Sequence, residues 1–318
     1  METSYRAETP DISIIICTRD RGASLLPTVE SVLADASTAG AVEVLVIDQS
    51  KNDAVERALA SLLASDKRLR YVREASVGLS AARNVGVRAA RGALIAFTDD
   101  DCVIEPGWLM ALKAAFETHP EVGLLFGHVA CAEHDPTQGY LPGFKAREGP
   151  LTRRRMFAGA GHWGMGANMA LRRAVWERIG PFDELLGAGA LLQSGEDVDY
   201  VIRAVRQQIG IYHCARARVV HYGFRPWASA SVLMKGASLS IGAMYAKQVR
   251  TGSLFALLLA LNDLRGRAWD VTRNLLRGRR PLGANALLYQ MKGFGRGWRL
   301  PLDRQRALFL LSLGDHIR

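Results

Sequence analysis

An α/β fold, with a mostly parallel sheet flanked by helices and a helical extension behind it, is the class this 318-residue sequence predicts. Three observations carry that expectation. Short apolar runs alternate four times with helix-like segments in the first 120 residues, the pattern of a parallel sheet covered on both faces. Polar and acidic residues stand at the carboxyl ends of those runs. From Ser229 onward the pattern is helical throughout.

The elements follow in order. Ile12 to Ile16 is β-branched and apolar apart from Ser13, which reads as a strand buried on both faces. Leu25 to Ala36 has helical spacing, and Val42 to Ile47 is a second buried strand ending in Asp48. Val55 to Leu63 reads as a helix, Arg70 to Val72 as a short strand and Ser80 to Ala90 as another helix. Leu94 to Phe97 is the strand that delivers Asp99-Asp100-Asp101. Thr18 to Asp20, Asp48 and the acidic triplet therefore all lie at strand ends, where ligands bind in such sheets. Pro136 to Gly149 reads as a loop, followed by Arg153-Arg154-Arg155 and by the glycine-rich stretch Gly159 to Gly166 before Met169-Ala170-Leu171. Helices are expected over Arg173 to Ile179 and Glu196 to Gln207. The C-terminal helices are expected to break at Gly252, at residues 277–283 and at Gly293 to Gly297.

Composition narrows the function classes. An apolar fraction of 49% is ordinary for a globular chain with a substantial core. The cysteines Cys17, Cys102, Cys131 and Cys214 are scattered with no CxxC pair, which argues against a zinc site or disulfide framework and fits a reducing cytosol. Met1 to Pro10 is polar and does not read as a secretory signal. The net charge of +10 is uneven: residues 225–318 hold 16 Lys/Arg against 4 Asp/Glu, the rest 25 against 27. The longest apolar run in that tail, Leu254 to Leu261, is eight residues, far short of the roughly 20 that span a bilayer.

Three adjacent carboxylates at the end of a buried strand repel one another and lose solvation, so something cationic is expected beside them. A divalent metal bridging to phosphates suits that role, because Mg²⁺ and Mn²⁺ prefer carboxylate oxygens. The alternatives are a solvated loop, or Asp101 capping the helix of the Glu105–Phe116 segment.

Beyond the triplet, six ordered segments are similar to family 2 glycosyltransferases. They are Ile12-Ser13-Ile14-Ile15-Ile16-Cys17-Thr18-Arg19-Asp20-Arg21, Val46-Ile47-Asp48-Gln49-Ser50, Gly78-Leu79-Ser80-Ala81-Ala82-Arg83-Asn84, Phe97-Thr98-Asp99-Asp100-Asp101, Gly195-Glu196-Asp197-Val198-Asp199 and His221. The resemblance covers about Ile12 to Gly223 and implies a GT-A fold, Rossmann-like, of the bacterial rhamnosyltransferase or polysaccharide-biosynthesis type. It implies a nucleotide-diphosphate sugar as donor, held by Thr18, Arg19, Asp20, Asp48, Arg83, Asp99 and Asp100. It also implies Mn²⁺ or Mg²⁺ on Asp101, Asp99 and His221, with Asp100 as spacer. Asp197, beside Glu196, would take the proton from an acceptor hydroxyl as the sugar inverts. Trp163 and Gly195 are candidates for acceptor contact, and Trp163 can equally be core. The chain departs from the usual Pro-Thr-Tyr-Asn at Cys17-Thr18-Arg19-Asp20, where Arg19 replaces an aromatic that flanks the base; its guanidinium can still stack on one.

The resemblance divides the chain into a catalytic domain over residues 1–224, with a nucleotide-binding half at about 10–135 and an acceptor half at about 136–224, and a basic helical extension over 225–318. In that extension Leu254, Leu257, Leu258, Leu261 and Leu264 fall at helical spacing, with Arg265, Arg267, Arg273, Arg277, Arg279 and Arg280 behind. A basic amphipathic helix of this kind fits an anionic membrane surface; packing on the catalytic domain or on a second subunit is the other reading. No nucleic-acid motif accompanies the charge. The expectation is an inverting transferase acting on a glycan or lipid-linked acceptor in the cytoplasm, peripheral to the inner membrane face. A metal-dependent nucleotidyltransferase, or a non-catalytic nucleotide- or membrane-binding relative, are the rivals.

Overall fold

The computed structural model describes residues 9–278 and 283–310. Its centre is a nine-stranded sheet built from β1 (Ile12–Thr18), β2 (Val42–Asp48), β3 (Leu69–Arg73), β4 (Leu94–Asp99), β5 (Cys102–Ile104), β6 (Val122–Cys131), β8 (Gly149–Pro150), β9 (Asn168–Arg172) and β10 (Gly210–His221). The order is β3-β2-β1-β4-β9-β6-β10-β5, with β8 paired to β10. Strands β3, β2, β1 and β4 run parallel, as do β6 and β10, while β9 enters antiparallel between β4 and β6. Around the sheet lie α1 (Leu26–Ala36), α2 (Ala54–Ser65), α3 (Leu79–Ala89), α4 (Trp108–Thr118), α5 (Arg153–Phe157), α6 (Arg173–Ile179) and α7 (Glu196–Arg206). A short strand β7 (Gly139–Tyr140) pairs with β11 (Arg225–Pro226). The chain continues as α8 (Trp227–Arg250), α9 (Leu254–Leu276), α10 (Ala284–Arg299) and a hairpin of β12 (Leu302–Asp303) and β13 (Leu308–Phe309).

Register sets the site. Thr18 pairs with Asp48 across β1–β2, and Cys17 with Asp99 across β1–β4. The chain crosses from β3 at one edge to β4 on the far side of β1, so the strand ends open at a topological switch point. On the other half, β10 pairs with β5 so that His221 faces Cys102, which carries a histidine 120 positions downstream to the triplet. Asn168 of β9 fixes this half: its Oδ1 accepts from Trp108 Nε1 at 2.9 Å, and its Nδ2 donates to the carbonyls of His128 and Ala217, each at 2.9 Å.

Several sequence expectations are corrected. Asp101 does not cap the helix after the triplet. That helix, α4, starts behind Gly107, and its free N–H groups are taken by Asp35 of α1, which accepts from Gly107 and Leu109 at 2.6 and 2.8 Å. The run Gly293 to Gly297 does not break a helix. It lies inside α10, where a Cβ on Gly293 or Gly297 would strike the backbone of α8 at Leu239 or Ala243, and one on Gly242 of α8 would strike Gln290. These glycines bring the two backbones together rather than ending a helix. The breaks at Gly252 and before Ala284 stand; Arg279 and Arg280 lie outside the described residues.

Candidate active site

The carboxyl ends of β1, β4 and β10 border a two-lobed cleft. The smaller lobe, about 330 Å³, is lined by Cys17, Thr18, Arg19, Arg21, Gln49, Asp99 to Asp101 and His221. The larger, about 690 Å³, is lined by Arg83, Phe144, Met165, Gly166, Gln193, Glu196 and Asp197 among others. Leu79, Asp99, Ala188, Gly189 and Arg225 face both.

Arg83 is the hub. The second turn of α3 carries it beneath the cleft, where it is buried and lies 5.7 Å from the centre of the Phe97 ring and 5.8 Å from that of Phe182. Its Nη1 donates to Glu196 Oε1 at 3.1 Å and its Nη2 to Asp99 Oδ1 at 3.5 Å. A guanidinium fork bridging two carboxylates from different elements is what a buried cation needs to stay charged. Gly166 closes over it, and a Cβ there would lie 2.6 Å from Arg83 Nη2.

The triplet divides. Burial pushes Asp99 up to about 6 against the opposing Arg83 charge, and burial likewise raises Asp100. For Asp101 burial is outweighed by His221 and Arg21, which hold its carboxyl below the usual range. Arg21 Nη2 reaches Asp101 Oδ2 at 2.7 Å and Asp100 Oδ1 at 3.1 Å. His221 Nε2 lies 3.3 Å from Asp101 Oδ1, while its Nδ1–H donates to the Pro142 carbonyl at 2.8 Å. The cationic compensation expected for the triplet is thus partly built from Arg21, Arg83 and His221. Arg21 was legible only as a neighbour of Arg19 in the first motif, and nothing in the sequence brings Pro142 to His221.

This corner suits a divalent ion. A backbone carbonyl on Nδ1 orients the ring so that Nε2, which donates to Asp101 when the ring is charged, would become a ligand once a cation displaced its proton, the outer-shell arrangement usual for metal-binding histidine. Asp101 and His221 converge, and the Cβ-less Gly223 stands against both, where a side chain would lie 2.6 Å from His221 Nε2. Cys102 also falls within 4.8 Å of this pair, but burial keeps its thiol protonated, and Asp99 is turned toward Arg83.

Asp197 sits on the first turn of α7, behind Gly195, whose φ of +91° is a left-handed conformation that favours glycine. Its Oδ1 accepts from the Val198 N–H at 2.7 Å and its Oδ2 from the Gly166 N–H at 3.2 Å. Burial and the adjacent Glu196 raise it to about 7, with Arg83 opposing. That is a carboxylate poised to exchange a proton near neutral pH.

The remaining candidates are placed as follows. Thr18 and Arg19 line the smaller lobe. Asp20 is turned outward onto Arg19, and its φ of +58° marks a tight bend held by its own N–H donating to Ser50 Oγ. Asp48 is fully buried, accepting from the Ser50 N–H and hydroxyl and from Tyr71 OH at 2.8 Å; its neighbour Gln49 is the side chain that lines the lobe. Trp163 is corrected to core: it is buried and its Nε1 donates to the Met156 carbonyl at 2.9 Å, so neither its face nor its N–H is offered to the cleft.

Comparison with known proteins gives a consistent result. The family model described as Glycosyl transferase family 2 matches residues 13–180. The O-antigen biosynthesis protein RfbC of Myxococcus xanthus is 27% identical over 67% of this chain and 17% of its own length. The chain spans between 14% and 38% of three other curated relatives it matches. Among solved structures, the mannosyltransferase PcManGT of Pyrobaculum calidifontis, in complex with GDP-Man and Mn²⁺, superposes with a TM-score of 0.59 at 17% identity, covering 91% of this chain and 87% of that one. S. aureus TarS residues 1–349 gives 0.54 at 15% identity over 91% and 90%. At these identities the structural likeness establishes the fold, a GT-A architecture.

Proposed function

This chain belongs to glycosyl transferase family 2, and from that premise we propose that it moves a sugar from a nucleotide-diphosphate donor to an acceptor hydroxyl with inversion. The observation that carries the reading is the placement of Asp197 in the larger lobe and of Asp101 with His221 in the smaller, with Asp99 facing both. The smaller lobe takes the nucleotide diphosphate, against Thr18, Arg19 and Gln49. The larger lobe takes the acceptor. Asp197 accepts the hydroxyl proton while the hydroxyl oxygen bonds to the anomeric carbon and the bond to the diphosphate breaks on the opposite face. Glu196 holds Arg83, whose charge offsets that of the acids around it on the cleft floor. Asp101 and His221 would hold Mn²⁺ or Mg²⁺, which when bound neutralises charge on the departing diphosphate. The PcManGT complex with a nucleotide sugar and Mn²⁺ supports both choices for this chain.

The relation to an O-antigen biosynthesis protein supports a polysaccharide or glycolipid acceptor. We also propose that the enzyme works peripherally at the cytoplasmic membrane face. No helix among the described residues is long and apolar enough to cross a membrane. On α9, however, Leu254, Leu258, Leu261, Trp269 and Leu276 are exposed and share one helical face, with Arg265, Arg273 and Arg277 nearby. An apolar stripe among arginines fits an anionic leaflet. The combined replacement L258S/L261S/W269S should abolish flotation with phosphatidylglycerol vesicles and leave turnover on a water-soluble acceptor unchanged; undiminished flotation would contradict the membrane reading.

The chemical test is release of nucleoside diphosphate, rather than sugar 1-phosphate, from a panel of nucleotide sugars with Mn²⁺; sugar 1-phosphate, or pyrophosphate from a nucleoside triphosphate supplied with sugar 1-phosphate, would point to nucleotidyl transfer. Asp197→Asn should lower turnover on the order of 10²–10⁴-fold with donor binding retained in calorimetry. Wild-type turnover in that variant would remove Asp197 as the base.

A further inference from the structure

Helix α7 offers Glu196 and Asp197 to the cleft, but its first turn carries a third acid, Asp199, that points the other way. Asp199 is fully buried. Its Oδ2 accepts from Arg203 Nε at 3.0 Å, and its Oδ1 from Gln248 Nε2 at 2.7 Å and Lys247 Nζ at 2.8 Å. Lys247 belongs to α8, is itself fully buried, and also reaches Asp183 Oδ2 at 2.5 Å. Asp183 in turn accepts from the backbone N–H of Leu185 and, across 126 residues, from that of Phe309 in the C-terminal hairpin, at 3.0 and 2.9 Å. The Phe309 ring lies 5.3 Å from the ammonium.

Two carboxylates, one ammonium and one guanidinium make a neutral, buried cluster. Clusters of this kind contribute little net stability over an apolar replacement of the same volume, because desolvation offsets the attraction. What they do is fix geometry: each partner has few positions in which all the buried charges stay paired. The geometry fixed here bears on the cleft from two sides. Asp199 stands two residues from Asp197. Asp183 begins the segment that runs to Ala188 and Gly189, which face both lobes.

We propose that Lys247 and Gln248 are positioning residues for the transfer reaction, together holding the first turn of α7 through Asp199, with Lys247 also holding the cleft wall through Asp183. This inference rests on the proposed role of Asp197. The C-terminal helices then form part of the machinery that aims the base, whatever else their outer surface binds.

The test measures turnover at saturating donor and acceptor, together with donor Kd by calorimetry, on soluble full-length variants well below their Tm. Lys247→Met combined with Asp183→Asn removes one charge of each sign and leaves the Asp199–Arg203 pair. It is expected to lower kcat by 10-fold or more with donor Kd within about twofold of wild type. Gln248→Leu changes no charge, removes the hydrogen bond from Gln248 Nε2 to Asp199 together with the one its Oε1 accepts from Arg206 at 3.3 Å, and is expected to lower kcat several-fold with the same split. Unchanged kcat in Gln248→Leu overturns the proposal, whether or not the charge-neutral double variant folds. So does a double variant in which only Tm falls. If Asp197→Asn itself retains turnover, the reading of the base fails instead, and that result is separate from either outcome here.

Discussion

At the level of single residues, the site gathers acids whose burial works against the fold. Asp197 has its ordinary value of 3.8 raised to about 7, so between those values the folded chain binds more protons than the unfolded one, and its stability falls as pH rises. The full cost is present above about 7 and absent below about 4. Asp197→Asn should therefore be more stable than wild type by roughly 1–3 kcal/mol at pH 8 and indistinguishable from it at pH 4; equal unfolding midpoints at pH 8 would contradict the assigned burial. The same shift sets activity in the opposite sense. A base must be ionised, so kcat/KM should rise with pH through an apparent value near 7, and a profile flat from pH 5 to 8 would count against it.

At the level of elements, α8 and α10 meet through glycines that look like helix breakers in the sequence. Local propensity alone says that Gly293→Ala inside α10 should gain about 1 kcal/mol. The packing says the reverse, because the new methyl group meets the Leu239 carbonyl of α8, and backbone cannot swing aside as a side chain can. Gly293→Ala is expected to lose roughly 2–4 kcal/mol, read from chemical denaturation. A stabilised variant would show that the two helices do not approach this closely. Strand ends were easier to read than this contact, since Ile12–Ile16 and Val42–Ile47 are apolar but for Ser13 and Glu43, whatever they pair with. Strand β9 was harder. Asn168–Arg172 is five residues long, and only pairing on both sides with β4 and β6 makes it the antiparallel centre of the sheet.

At the level of the whole molecule, the helices after Pro226 are tied into the catalytic body by Lys247, Gln248 and the Phe309 N–H. A chain ending at Pro226 leaves Asp183 and Asp199 buried with only Arg203 as cation. Breaking a buried pair costs about 3–5 kcal/mol, a large part of the roughly 5–15 kcal/mol that holds a typical domain folded. Such a chain should show no cooperative thermal transition. A normal transition with retained turnover would mean that the helices are an independent appendage.

The sequence by itself determined the alternation that makes an α/β sheet, the acids at its strand ends, and Asp197 on a helix start, because each depends on neighbours a few positions away. It also sufficed for the family. Only the tertiary structure decided that Arg83 joins Asp99 to Glu196, that Arg21 and His221 flank Asp101, and that Trp163 is core. It alone placed a lysine in a basic tail between two buried acids. Those outcomes come from register and long-range packing, where the energy of a charge is set by what lies within a few ångströms in space, and the order of residues along the chain does not encode that directly.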